Sequence, residues 1–190
     1  DNFHAVWVDE EMADYADLVT VTGGHKMVEG KEETSILNGI LNEMATEGAT
    51  VNLPANTNIT LPNNVADGVT IIGAEGSVIN VGGKSITSDN VTIKGVTFQN
   101  DGNNKTPISL SGKNPTLEDC VFLGAAGDGC GVVVAGNGDS DNVITLKNCD
   151  FSQDDFFKPI FDGWSGLDGG TLVIDGCTLA NGLYAMHIDA

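Results

Sequence analysis

Apolar and polar residues alternate along much of the chain in short runs, and one glycine, asparagine or aspartate interrupts each run. Four runs share this pattern: TIKGVTF, TLEDCVF, TLKNCDF and VIDGCTL, at residues 92–98, 116–122, 145–151 and 173–179. Alternation with a period of two predicts strands that bury one face. The interrupting residues enter left-handed backbone space at low cost, and they are Gly95, Asp119, Asn148 and Gly176. We therefore expect each run to form two short strands joined by a bend.

The position after the bend recurs at intervals of 24, 29 and 28 residues, and it is occupied by Val96, Cys120, Cys149 and Cys177. No helical pattern separates the runs. A period of this length that contains only short strands predicts one turn of a parallel β-solenoid, with successive turns roughly 4.8 Å apart. One outward-facing column of that stack alternates between positive and negative residues: Lys94, Glu118, Lys147 and Asp175. This alternation predicts weak, solvated ion pairs between successive turns.

A helical segment precedes the repeats. Its apolar residues fall on one face of a helix: Ile36, Leu37, Ile40, Leu41 and Met44. Thr34 or Ser35 can cap the start of this helix, and Gly48 can end it, which predicts a helix over about residues 34–47. We expect the helix to cover the first turn of the coil, because open sheet edges pair with other chains.

The segment TSILNGILNEMATEGATVNLPANTNITLPNNVADGVTIIGAEGSVI, at residues 34–79, resembles the start of the coil in the pectin-lyase-like superfamily. There, a capping helix precedes a strand with the motif G-x-x-V-x-L-P, matched here by Gly48–Pro54. A strand with the motif V-T-I-x-G follows, matched by Val69–Gly73. The resemblance covers about residues 34–190. That superfamily includes polysaccharide lyases, glycoside hydrolases, phage tailspikes, virion decoration proteins and adhesins.

The repeats and the resemblance together predict an all-β fold, a right-handed single-stranded parallel β-helix with a short N-terminal capping α-helix. We expect residues 1–32 to form an N-terminal arm, and residues 33–190 to form the helix and about six turns. The repeats run to the end at Ala190 without a second cap. We therefore expect either that the chain continues or that another chain covers the last turn.

The composition suits many tight turns around an aliphatic core. The 190 residues include 25 glycines and 5 prolines, and 41% are hydrophobic but only 6% are aromatic. The formal charge of −19, from 27 acidic and 8 basic residues, repels nucleic acids and anionic membranes. No apolar run approaches the roughly 18 residues of a membrane span. We therefore expect no nucleic-acid partner and no membrane span.

We expect the cysteines to be reduced and to pack in the core, with Cys130 in the core or at its rim. Stacked residues on parallel strands do not favour the disulfide torsion, and a linear column of thiols does not suit a zinc site. Reduced thiols fit folding in a bacterial cytoplasm. The sequence therefore predicts no metal and no cofactor.

The loop DDFFKPIFDGWSGLD, at residues 154–168, is the best candidate for chemistry. Carboxylates beside aromatic rings can hydrogen-bond a sugar and stack on it, which predicts a glycan-binding site formed by Asp154, Phe156, Asp162 and Trp164. Glycoside hydrolysis needs two carboxyl groups about 5–9.5 Å apart, and Asp155 and Asp162 are the candidates. The alternative is that the aromatic residues pack the loop against the coil or another subunit.

Lyases of the resembled superfamily typically use an Arg or Lys base together with carboxylate-bound calcium. The chain has no arginine and 8 lysines, and no lyase motif matches it, which disfavours that activity. The N-terminal arm lacks the repeat and contains Phe3 and Trp7 in an acidic stretch. We expect these aromatic residues to anchor the arm on a partner or on another subunit; a mobile tail is the alternative.

These features predict a structural or binding β-helix in preference to an enzyme. We expect a component of a bacteriophage virion, such as a decoration protein, fibre or tailspike-like module. The expected partners are other virion or surface proteins through residues 1–32, further copies of the chain, and a polysaccharide. One alternative is a glycoside hydrolase that acts on a polysaccharide. The other is a bacterial adhesin, located outside the cell or on its surface.

Overall fold

The computed structural model describes the backbone of residues 20–22, 25–28, 31–82, 84–99, 108–123, 127–130, 132–134, 141–153, 156–158, 161–163, 170–179 and 186–188. Side chains are described within residues 37–82, 84–99, 108–123, 141–153 and 170–179. The chain divides into two compact units, Asp1–Glu43 and Met44–Ala190. In these described ranges, no helix has the length and hydropathy needed to cross a membrane.

A small antiparallel sheet and a helix begin the described chain. The sheet contains β1 (Thr20–Thr22), β2 (His25–Val28) and β3 (Lys31–Glu32), paired in that order. The helix α1 (Glu33–Met44) follows directly. The helix ends three residues before the expected limit at residue 47. Gly48, which follows, has a left-handed φ of 70°. The helix itself is confirmed, and its role as a cap stays a prediction.

The rest of the chain forms a coil of short strands in several sheets. Sheet one contains β4 (Thr50–Leu53), β6 (Thr70–Gly73), β9 (Thr92–Lys94), β12 (Thr116–Glu118), β16 (Val143–Lys147) and β19 (Thr171–Asp175). Sheet two contains β5 (Asn58–Thr60), β7 (Val78–Asn80), β10 (Thr97–Gln99) and β13 (Val121–Leu123). Sheet three contains β8 (Ser85–Ile86), β11 (Ile108–Leu110) and β15 (Val132–Val134). Two further pairs are β14 (Gly127–Cys130) with β17 (Phe156–Lys158), and β18 (Phe161–Gly163) with β20 (Met186–Ile188).

The described strands of the coil pair in parallel, each with the equivalent strand of the next turn. In sheet one, for example, Thr92 pairs with Thr116, which pairs with Thr145. Four successive turns, which begin at β4, β6, β9 and β12, contribute a strand to both sheets one and two. Isolated bridges at Asp150 and Thr178 extend sheet two. The predicted parallel β-helix is therefore confirmed, and its right-handed sense stays a prediction from the resemblance.

The bend between sheets one and two forms at the expected residues. Left-handed φ values between 51° and 65° occur at all four of them, Gly95, Asp119, Asn148 and Gly176. A left-handed residue turns the strand and restarts the alternation of its faces. As a result, Ile93 before the bend and Val96 after it are both buried.

Equivalent side chains form the columns of the core. In sheet one, a column with at most 1% exposure consists of Val51, Ile71, Ile93, Leu117 and Leu146. In sheet two, three buried phenylalanines stack: the ring centroids of Phe98 and Phe122 are 5.2 Å apart, and those of Phe122 and Phe151 are 4.4 Å apart. Stacked rings add to the free energy gained from area burial, so this column ties three turns together.

The thiols lie in the inner column where the sequence places them. Cys120 and Cys149 are buried, Cys177 is half-buried, and all three are free. Each thiol contacts a backbone carbonyl of the preceding turn; the Sγ to O distance is 3.5 Å from Cys149 to Leu117, for example. The inward position of this column is confirmed. The side chain of Cys130 lies outside the described part of the chain.

Candidate functional site

The loop that the sequence selects for glycan binding is only partly described. Asp154, Asp155 and Trp164 lie outside the described residues, as do Phe3 and Trp7 of the N-terminal arm. The roles expected for these five residues stay predictions.

Two residues of that loop have described backbone positions. Phe156 lies in β17, where it pairs with Gly127 of β14. Asp162 lies in β18, where it pairs with His187 of β20. Because paired residues on neighbouring strands are close, the topology brings Asp162 next to His187. The sequence pattern did not connect these two residues, since the loops between them follow no repeat.

The outward column of sheet one forms a chain of ion pairs. Nζ of Lys94 lies 2.7 Å from Oε2 of Glu118, and Nζ of Lys147 lies 2.7 Å from its Oε1. Both lysines are more than two-fifths exposed, whereas the Glu118 side chain is 17% exposed. The predicted ladder is therefore confirmed from Lys94 to Lys147, with one carboxylate held between two ammonium groups of adjacent turns. The strand register aligns Asp175 with Lys147.

Glu118 is ionised at every pH relevant to a general acid. The hydrogen bonds from Lys147 and Lys94, together with their positive charges, lower the pKa of Glu118 to about 2. The same hydrogen bond with Glu118 raises the pKa of Lys147, assisted by the charges of Glu118, Asp119 and Asp175. A proton donor for glycoside cleavage needs a raised pKa. Glu118 is therefore not suited to act as a general acid, and its ion pairs with Lys94 and Lys147 hold neighbouring turns together.

Asp150 is similarly committed to local structure. Burial raises its pKa, but hydrogen bonds from the Ser152 side chain and backbone and from Gln153 outweigh that effect, so the pKa lies below its usual value. Its Oδ1 accepts from the Ser152 amide at 2.8 Å and its Oδ2 accepts from Gln153 Nε2 at 2.8 Å. This carboxylate therefore stabilises the turn that follows Phe151.

Side-chain amides join adjacent turns at two corners of the coil. At the bend between sheets one and two, Asn148 Nδ2 donates to Asp119 Oδ1 at 3.1 Å. At the corner before sheet one, Asn114 Nδ2 donates to Asn90 Oδ1 at 3.1 Å. Asn90 and Asn114 are also left-handed, with φ values of 57° and 51°. The repeats do not predict this second left-handed column; the recurrence of Asn after 24 residues was the available signal.

A column of threonines runs along the outer face of sheet one beside the ion pairs. The strand register aligns five of them, Thr50, Thr70, Thr92, Thr116 and Thr145. All are at least partly exposed. β-Branched residues suit this position because they pack well against cross-strand neighbours. The face is therefore a regular surface of hydroxyl groups, paired charges and, at its corners, amides.

The stacked thiols differ in acidity, because the hydrogen bond with Cys149 outweighs burial at Cys120 and lowers the pKa of the Cys120 thiol. The hydrogen bond with the Cys120 thiol, together with burial, raises the pKa of Cys149, and burial raises the pKa of Cys177. A raised pKa disfavours the reactive thiolate. Among the residues with described side chains, no group of three His, Cys, Asp or Glu could hold a metal ion.

Comparison with known proteins adds no relative to this picture. The chain matches no protein-family model, no curated protein and no solved structure.

Proposed function

We propose that this protein is a structural or binding β-helix. The observation that carries the proposal is the pairing of its outward polar groups along the coil. The Lys94–Glu118–Lys147 chain, the Asn90–Asn114 pair and the Asp119–Asn148 pair all join one turn to the next. Polar groups arranged in this way join successive turns of the coil, whereas catalytic groups must converge on a substrate.

Within that class, we propose a component of a bacteriophage virion: a decoration protein, fibre or tailspike-like module of the pectin-lyase-like superfamily. The resemblance of residues 34–79 to that superfamily supports this choice. The free thiols support assembly in a reducing cytoplasm before release. The arm at residues 1–32 is proposed to attach to other virion or surface proteins, with further copies of the chain as additional partners.

The test is to purify phage particles from the organism that encodes the chain and to look for the chain by antibody and mass spectrometry. Fixed stoichiometry in intact particles is the expected result. Recovery on the cell surface, with none in particles, would support the adhesin alternative instead.

The attachment role of the arm is tested with two variants of the full chain in the same particle assay. One lacks residues 1–32, and the other carries Phe3→Ala and Trp7→Ala. Loss of attachment by both variants is expected. The circular dichroism of the doubly substituted chain should be unchanged, and that of the deletion variant should change only by the loss of β1, β2 and β3. Normal attachment of both would exclude the arm as the anchor.

A polysaccharide is proposed as a ligand, on residues 154–168. The backbone pairing of Asp162 with His187 supports this region, because it brings a polar residue from each of two turns into register. Glycan arrays with Phe156→Ala and Trp164→Ala should lose signal relative to the unmodified chain.

The same glycans test the hydrolase alternative. A release of reducing ends that disappears in both Asp155→Asn and Asp162→Asn would make the protein a glycoside hydrolase. Binding without release of reducing ends agrees with the binding role.

A further inference from the structure

Two fully buried thiols occupy equivalent positions on neighbouring turns of the coil. The strand register pairs Glu118 with Lys147, two residues before Cys120 and Cys149, and a parallel bridge pairs the residues that follow the two thiols. Cys120 therefore stacks directly on Cys149. Both side chains are at most 1% exposed. Strands β9 and β19 flank these two turns in sheet one, so the pair lies within the stack.

The two thiols also point in the same direction. The Sγ of Cys120 lies 3.5 Å from the carbonyl oxygen of Ile93, and the Sγ of Cys149 lies 3.5 Å from that of Leu117, the equivalent residue one turn later. Each Sγ also lies near the carbonyl oxygen two residues earlier in its own turn, at 3.3 Å and 3.5 Å. Matching contacts to equivalent atoms require matching side-chain conformations. One turn spacing, roughly 4.8 Å, therefore separates the two sulfur atoms.

This separation suits a metal ion that binds two ligands in a line. A bond between a metal and a thiolate is about 2.3 Å long in zinc sites, so two such bonds in line span about 4.6 Å. Zinc itself takes four ligands in a tetrahedron, which a straight column of thiols does not offer. Univalent copper is a soft ion that prefers thiolate ligands, and it forms linear complexes with two of them.

The surroundings of the pair support the thiolate, the form that binds metals. The hydrogen bond with Cys149 lowers the pKa of the Cys120 thiol in spite of burial. Backbone hydrogen bonds at Val96, Glu118 and Gly95 add to this effect. The bond between the two thiols raises the pKa of Cys149, because the proton of Cys149 lies between two sulfur atoms. A metal ion at the position of that proton contacts the same two atoms.

We propose that Cys120 and Cys149 form a binding site for one Cu⁺ ion, held in line between their Sγ atoms. Two S–H bonds break, two Cu–S bonds form and two protons leave, with no change in oxidation state. The reducing conditions that keep the thiols free also keep copper univalent. This inference does not depend on the proposed role in a virion.

The first test uses Ag⁺, which shares the charge and the linear thiolate coordination of Cu⁺ but is not oxidised by air. The reference chain carries Cys130→Ala and Cys177→Val, so that only the proposed pair remains; valine already occupies the equivalent inner position at Val96. Because the pair is buried, the chain is refolded from urea together with Ag⁺ in chloride-free buffer. We expect one Ag⁺ per chain after gel filtration against methionine, an ultraviolet thiolate-to-metal absorption band, and release of two protons per ion.

Two matched variants of the reference chain separate a paired site from reaction at single thiols. Cys120→Val and Cys149→Val each retain one buried thiol, and each should lose the bound Ag⁺ and the absorption band while its circular dichroism is unchanged. Cys149→Ala replaces the second variant if valine prevents folding there. Anaerobic competition with a Cu⁺ chelator should show that the reference chain binds Cu⁺ at least about 100-fold more tightly than either variant, because a direct ligand is lost.

Three results would overturn the proposal. The first is one Ag⁺ per chain in either single-thiol variant, which would mean that the second sulfur is not a ligand. The second is no bound Ag⁺ in the refolded reference chain. The third is Ag⁺ binding that removes the circular dichroism of the strands, because the ion would then bind only the unfolded chain.

Discussion

At the scale of single residues, the coil depends on a few positions with unusual backbone geometry. Asn148 adopts a φ of 51° and also donates a hydrogen bond to Asp119. The left-handed conformation costs a residue with a Cβ about 1–2 kcal/mol. Asparagine and aspartate adopt it more readily, because their side chains form local hydrogen bonds. The residue type at each bend therefore decides whether two strands meet at the correct angle.

The stability order of substitutions at Asn148 is the first prediction. Asn148→Ala should lower the free energy of unfolding by about 1–2 kcal/mol, and Asn148→Gly should lower it less. Exposed Gln99, in the ordinary strand β10, is the control position. At this position, Gln99→Ala should be more stable than Gln99→Gly by roughly 0.5–1 kcal/mol. Urea unfolding measures all four variants, and the same order at both positions would contradict the left-handed bend.

The second prediction concerns Glu118 and acid stability. Its pKa is about 2 in the folded chain, below the value of 4.5 for the isolated side chain. A carboxyl with a lowered folded pKa contributes stability above its unfolded pKa, and that contribution is lost as the pH falls through the folded pKa. The stability difference between the unmodified chain and Glu118→Gln should therefore be constant above about pH 4.5 and decline towards about pH 2.

Carboxyl carbon NMR gives a direct reading of the Glu118 midpoint. Lys147→Met should raise the midpoint, because it removes the strongest hydrogen bond to the carboxylate. Lys84→Met is the control, since that lysine donates to the Leu61 carbonyl, away from the column. A midpoint that stays at its ordinary value in the unmodified chain would refute the ion-pair geometry.

At the scale of elements, the strands are short and each depends on its neighbours in the stack. The aromatic column makes this dependence concrete, because Phe122 lies between Phe98 and Phe151 and contacts both rings. A strand of three residues such as β13 has little stability alone. Its position is secured by the turns on either side.

Removal of the central ring is the third prediction. Phe122→Ala should lower the free energy of unfolding by about 3–5 kcal/mol, through lost burial and the cavity it creates. Phe122→Leu retains most of the volume and should cost clearly less. Denaturant unfolding monitored by circular dichroism compares the two. Equal effects would show that the site does not depend on packing volume.

The strands and bends could be predicted from the sequence only where the repeat is present. The bends at Asp119 and Asn148 could be predicted because few residue types tolerate their geometry, and alternation then places Cys120 inside. The three-stranded antiparallel sheet near the N-terminus follows no repeat, so its pairing could not be read in this way. The same reason limits the glycan loop: residues 154–168 have no counterpart in other turns, and nothing in their spacing sets a strand register. The adjacency of Asp162 and His187 arises only from the stacking of whole turns.

At the scale of the whole molecule, the net charge of −19 opposes compaction. Self-repulsion of this kind destabilises a folded chain while keeping it dispersed in solution. Pairs such as Lys94–Glu118 remove only a small part of it. The balance between repulsion over the whole chain and local attraction is therefore sensitive to ionic strength.

The fourth prediction is a stabilising effect of salt. The Debye length falls from about 30 Å at 0.01 M to about 8 Å at 0.15 M salt, which screens distant repulsion more than contacts of 2.7 Å such as Lys147–Glu118. The midpoint of thermal unfolding should therefore rise with sodium chloride over this range. Sucrose at matched osmolality serves as the control for effects that are not electrostatic. A fall in the midpoint would mean that the paired charges dominate.

The length of the connection between sheets one and two has a consequence for how this chain can vary, because it is always an even number of residues in the four turns that contribute to both sheets. Two residues separate sheet one from sheet two at Gly95–Val96 and Asp119–Cys120, and four residues do so in the first two turns, at 54–57 and 74–77. The connection from sheet two to sheet three contains four residues at 81–84 and eight at 100–107. Deletion of one residue between sheets one and two would move the buried side chains of the next strand to its outer face. An insertion between sheets two and three leaves every stacked position intact. Natural length variation and grafted foreign epitopes should therefore be tolerated in the connections between sheet two and sheet three.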